Sequence, residues 1–174
     1  VGGSWSIAPP PTWAIVQPAV SLPSPDRGEG PIEYLLIDTQ TNLATEEQYH
    51  RMVWEVNTAG GVQAASTAAA SYDPSYQRLV IHQMDVYREG VAVTRLAGEN
   101  VQVLRREPNL ESQILDGTLT ASVMLEDVRP GDRIDAAFTV TGRNPALRDR
   151  YVETFACGWR WPVASVRIRI LSPP

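Results

Sequence analysis

The stretch Tyr72–Gly90, YDPSYQRLVIHQMDVYREG, constrains the fold more than any other part of this chain. It opens on a turn signal, Asp73-Pro74. Strand formers follow at Leu79, Val80, Ile81, Val86 and Tyr87. It closes on Glu89-Gly90, and a second apolar run, Val91-Ala92-Val93, begins at once. Two turn residues between two such runs, the second a glycine tolerant of positive φ, predict a β-hairpin.

The same pattern recurs on both sides. Ile32–Asp38 places Ile32, Tyr34 and Leu36 on one face. Gln48–Asn57 sets His50, Met52, Trp54 and Val56 against Arg51 and Glu55. Leu119, Ala121, Val123 and Leu125 alternate with Thr118, Thr120 and Ser122. Ile134, Ala136, Phe138 and Val140 alternate with Asp135, Ala137, Thr139 and Thr141. Val101–Leu104 is a short strand, and Val152–Trp161 with Val163–Leu171 reads as a final pair. In the last of these Val166, Ile168 and Ile170 face one way, Arg167 and Arg169 the other. Val62–Ala70 is ambiguous. Its alanines favour helix, its neighbours and the interleaved Ser66 and Thr67 favour strand, and we read it as strand.

Turns separate these runs. Arg129-Pro130-Gly131-Asp132 has the form of a type II turn, and Gly142-Arg143-Asn144-Pro145 breaks the strand before it. Thr39–Glu47 and Arg105–Asp116 read as loops, and Ala146–Arg150 as one helical turn. The sum is an all-β fold: an antiparallel two-sheet β-sandwich over residues 32–174.

Residues 1–31 differ. Pro9, Pro10, Pro11, Pro18, Pro23, Pro25 and Pro31 lie here, which excludes helix and predicts an extended arm. Trp5, Ile7, Trp13, Ile15 and Val16 make it too apolar for a free linker. The expectation is a proline-rich N-terminal arm packed on the domain.

With 174 residues, 43% of them hydrophobic, the chain suffices for one domain with a real core. A net charge of -5 argues against a nucleic-acid footprint or an anionic membrane surface. All 15 basic residues are arginine, which excludes a Schiff-base or phosphate-loop lysine from this segment. No apolar run reaches transmembrane length, and no signal-peptide pattern is visible. The start at Val1-Gly2-Gly3 and the end at Ser172-Pro173-Pro174 have the look of a piece cut from a longer protein.

Candidate chemistry is sparse. The lone cysteine, Cys157, allows no internal disulfide and as a nucleophile would need His50 or His82 as base. Both histidines lie in predicted strands, and the FACGWRW setting suits a buried structural thiol better. One cysteine and two histidines offer no close metal-ligand pair. Asp73, Asp116, Asp127 and Asp132 sit at turns, where aspartate bonds its own backbone; a surface calcium site from two such loops is the competing reading. Gly60-Gly61 is too little for a phosphate loop. Trp159 and Trp161 have strand spacing, so with Trp54 and Phe155 they would form either a sugar-stacking platform or, more ordinarily, core. We therefore assign no catalytic, cofactor-binding or metal-binding residue.

Several landmarks carry a family resemblance. They are the Ala8–Trp13 arm, YDPSYQRL with its Glu89-Gly90 turn, Val128-Arg129-Pro130-Gly131-Asp132, Gly142–Pro145 and Trp161-Pro162-Val163. In this order they resemble a bacterial domain of unknown function found N-terminal to transglutaminase-like domains in secreted and envelope proteins. The resemblance implies that the catalytic Cys-His-Asp set would lie downstream of Pro174 and that none carries over here. It also implies a periplasmic or secreted location. The expected function is a non-catalytic accessory domain of a larger transglutaminase- or protease-like protein. Its partner would be the downstream domain or another protein. The alternative is a carbohydrate- or peptide-binding module, and a third possibility is an enzyme built on Cys157.

Overall fold

The computed structural model describes residues 4–19, 23, 30–105, 117–148, 150–156 and 158–173. Cys157, Asp116 and most of the Arg105–Asp116 loop lie outside them, as does the arm between its first half and Gly30, apart from Pro23.

The described residues form ten strands and one α-helix. In order these are β1 (Trp5–Ile7), β2 (Ile32–Asn42), β3 (Glu47–Val56), α1 (Ala59–Ala65), β4 (Thr67–Tyr72), β5 (Arg78–Arg88), β6 (Val91–Thr94), β7 (Val101–Arg105), β8 (Leu119–Met124), β9 (Arg133–Thr141) and β10 (Val166–Leu171). Seven strands make one sheet in the order β1-β5-β9-β3-β2-β10, with β6 alongside β5; β4-β8-β7 make a second. The hairpin is β5–β6, with Arg88 opposite Val91. Glu89 and Gly90 both have positive φ, 51° and 81°, the geometry that matches the twist of paired strands.

The predicted alternation holds where it sets the core. Ile134, Ala136 and Val140 of β9 join Trp54, Ile81, Met84 and Val86 on one face of the large sheet. Ala68, Ala70 and Tyr72 of β4 and Ala121 and Val123 of β8 close over them in the same cluster. Removing these faces from water is the main stabilising term.

Four local expectations are corrected. The large sheet is mixed rather than antiparallel, because β1 joins β5 and β10 joins β2 in parallel. Parallel pairing needs a long crossover, which only chain segments distant in sequence supply, and pair alternation cannot report it. Leu36 lies opposite Val53, on the face away from the main core, because a bulge shifts the register between Tyr34 and Leu36. One extra residue reverses every later side chain. Val62–Ala70 is split: the first half belongs to α1, and Thr67 begins β4. Ser66 donates from both its N–H and its Oγ to the Val62 carbonyl, ending the helix there. No strand runs through the described part of Val152–Trp161; instead Pro162 and Ala164 bond to Tyr34 and lead into β10.

The second face of the large sheet carries a polar layer rather than a second apolar one. Arg51 and Asp135, 1% and 0% exposed, form a bidentate pair at 2.8 and 2.7 Å. Gln83 donates to the same carboxylate at 3.0 Å. Asp38 accepts from Gln40 at 2.8 Å and from Arg167 at 2.9 Å. Over this layer passes the backbone of residues 13–19. Gln40 exchanges two bonds with Ile15, at 3.0 and 2.8 Å. Arg169 donates to the Trp13 carbonyl and Arg133 to that of Ala19, at 2.9 and 2.8 Å. Arg51 and Arg167 donate to the carbonyls of Gln17 and Ile15. Trp13 Nε1 donates to Glu47 at 2.6 Å. The side chains of Ile15 and Val16 stay exposed while Ala19 is buried, so hydrogen bonds, most of them to its carbonyls, do more to hold this segment than apolar burial.

Candidate functional site

The two histidines are both engaged. His82 Nδ1 lies 2.8 Å from the Ala8 carbonyl, which can only accept, so this nitrogen carries the proton. Its Nε2 then accepts from the Thr139 hydroxyl at 2.7 Å. His82 occupies the extra position of a bulge between Ile81 and Gln83, where Ala8 also bonds Ile81. His50 stacks on Phe138 with ring centroids 5.0 Å apart and lies 3.4 Å from Thr39 Oγ1. Burial pushes both imidazoles below their ordinary pKa, and the Ala8 carbonyl only partly offsets this at His82.

The turn aspartates are bound up as well. Arg88 spans Asp132 with two bonds of 2.8 Å and reaches Asp127 at 3.2 Å. Arg129 adds two bonds of 2.9 Å to Asp127. These bonds, Arg129's first, hold the Asp127 carboxyl below its usual range. At Asp132 burial works the other way, but the bonds from Arg88 and the Arg129 N–H prevail. Two carboxylates already neutralised by two guanidiniums make a poor calcium cradle. Asp73 accepts from the N–H and hydroxyl of Ser75 at 2.9 and 2.6 Å, ordering its own turn. Gly60 and Gly61 lie inside α1. Among the described residues no group of three or more His, Cys, Asp and Glu is placed to hold a metal ion.

The aromatic residues do not form one platform. Trp54 is core, and Trp161 packs against that core with the Arg160 guanidinium 4.8 Å above its ring. Phe155 and Trp159 instead line a shallow groove of about 120 Å³ with His50, Ile37, Val166 and Ile168. The shared face expected from strand spacing is absent because residues 158–161 are not in a strand.

This groove adjoins the outermost strand of the large sheet. On β10, Arg167 and Arg169 turn toward the polar layer, while Val166, Ile168 and Ile170 are 44%, 46% and 51% exposed. The far edge of β10 has no strand partner among the described residues. Three aliphatic side chains thus lie exposed beside that edge.

A second concave feature lies at the end of the sheet where β2, β9 and β10 finish and β3 and β5 begin. It is a cleft of about 460 Å³, within the range of ligand sites. Tyr76 and Gln77 come from the turn before β5; Gly142, Arg143 and Asn144 come from the break after β9. Both segments were singled out in the sequence, but nothing there showed that they meet. Arg143 pairs with Glu46 at 2.8 Å. Gln48 donates to the Tyr151 hydroxyl, which donates to the Glu153 carboxylate.

Residues 44–174 match the family described as "Domain of Unknown Function with solved-structure structure (DUF3857)". No curated protein matches the chain. A crystal structure from Parabacteroides distasonis, named a "putative protease", is similar in fold, with a TM-score of 0.55 at 16% identity. The likeness covers 65% of this chain and 23% of that one, so this chain corresponds to less than a quarter of that protein's length.

Proposed function

The chain belongs to the DUF3857 family, and from that membership we propose that it is a non-catalytic interaction domain of a larger exported protein. In this reading the larger protein is transglutaminase- or protease-like, and the two sheets form a β-sandwich that docks on the downstream domain. The observation that carries the proposal is the β10 rim: Val166, Ile168 and Ile170 exposed along an edge with no strand partner among the described residues, with Phe155 and Trp159 in the adjoining groove. Apolar and aromatic side chains of this kind supply the centre of an interface. The similar fold within a much longer protein supports the accessory role, as does the engagement of both histidines by neighbours within this chain.

The test is to express the region encoded beyond residue 174 separately and titrate it with this chain by calorimetry. Binding is expected, weakened at least tenfold by Ile168→Arg, which places a charge in the middle of the stripe. Unchanged affinity in that variant would remove β10 from the interface. Peptidase or amidase turnover by the purified chain, lost in Cys157→Ser, would overturn the non-catalytic assignment.

A further inference from the structure

We propose that the cleft at the Gly142–Leu147 end of the large sheet binds an acidic peptide segment, gripping one carboxylate beside an apolar side chain. The argument is a count of hydrogen-bonding capacity in the cleft wall. Part of its acceptor capacity is spent on the protein itself, the Gln48 side-chain carbonyl and the second Glu46 oxygen remaining over. The Glu46 carboxylate is ion-paired to Arg143, the Gln77 carbonyl takes the Asp73 N–H at 2.8 Å, and the Asn144 carbonyl takes the Ala146 N–H at 2.9 Å.

The donors are left over. Among the described residues the Arg150 guanidinium has no hydrogen-bond or ion-pair partner, the side-chain NH₂ groups of Gln77 and Asn144 have none, and Arg143 uses only Nε. A wall with more free donors than free acceptors suits an anionic, acceptor-bearing ligand, and a planar guanidinium suits a carboxylate. Leu43, Leu147 and Val152 line the same space and add an apolar component. A bare small anion would leave these unused, whereas a peptide brings a side chain to them and backbone carbonyls to the two amides. This surface goes beyond the β10 docking reading and does not depend on it, since Val166, Ile168 and Ile170 do not line the cleft.

The test uses the whole chain and three capped peptides, Leu-Glu-Leu-Glu, Leu-Gln-Leu-Gln and Leu-Lys-Leu-Lys, with sodium acetate as a fourth ligand, followed by heteronuclear NMR. The acidic peptide should shift the side-chain amide signals of Gln77 and Asn144 and bind at least tenfold more tightly than the other three. Arg150→Gln should weaken it about tenfold, the loss of one charge-assisted contact. Val152→Asp, an exposed change that puts like charge into the apolar half, should weaken it too. Ile168→Arg should leave this titration unchanged, which separates the cleft from the β10 interface. The proposal is overturned by equal binding of the glutamine peptide, by acetate binding as tightly as the peptide, by shifts confined elsewhere, or by Arg150→Gln and Val152→Asp both binding as the parent does.

Discussion

Gly142 lies so close to Tyr76 that a Cβ on it would stand 2.2 Å from the Tyr76 carbonyl oxygen. The residue also has φ of 101°, outside the range of ordinary L-residues. This approach joins the turn before β5 to the break after β9 and forms the floor of the cleft. Gly142→Ala is therefore expected to cost more than about 2 kcal/mol, since positive φ and a backbone clash act together. Urea unfolding measures it, and a loss under about 0.5 kcal/mol would mean the two segments move apart freely.

The Arg51–Asp135 pair is buried and bidentate. Removing one member leaves a charge stranded in the interior, so Asp135→Ala should destabilise by about 3–5 kcal/mol. The double change Arg51→Met with Asp135→Leu should recover at least half of that, because it strands no charge. A double variant as unstable as the single one would show that the remaining polar layer needs this pair.

Both histidines have pKa values pushed below 6.5 by burial in the folded chain. The unfolded chain then takes up protons first as pH falls. Stability is full above the unfolded pKa and is lost as pH drops through about 6.5 toward the lowered folded values. Melting curves from pH 8 to pH 5 should show this decline, and His50→Gln with His82→Gln should flatten it. An equal decline in that double variant would assign the effect to other groups.

The carbonyls of Trp13, Ile15, Gln17 and Ala19 each accept from an arginine of the large sheet. Deleting residues 1–19 exposes this polar layer and removes β1. The melting temperature should fall by more than about 4 °C, several such bonds being worth about 1 kcal/mol each. An unchanged melting temperature would mean water replaces the segment without loss.

Period-two alternation made the strands legible in the sequence, because each of these strands buries one face and exposes the other to a different environment. Glu89-Gly90 announced the hairpin for a local reason, the backbone twist that a two-residue turn must match. The split of Val62–Ala70 was not legible, since the alanines favoured helix while the neighbouring strands and the interleaved Ser66 and Thr67 favoured strand, and the helix stops where Ser66 bonds to Val62.

Other features belong to the tertiary structure alone. Alternation set Arg51 of β3 and Arg167 and Arg169 of β10 opposite the apolar positions and said no more of that face. It is an inner polar layer because residues 13–19 lie across it and present carbonyls to the arginines. The parallel edges at β1 and β10, the reversal at Leu36 and the convergence of Tyr76 with Gly142 all join residues far apart in sequence or turn on a single inserted residue. Alternation reports the environment of each face but not which strand lies beside it. The regularly alternating strands were therefore determined by sequence, while β1, the missing strand at Val152–Trp161, the order of the sheet and the cleft at its end were decided by packing.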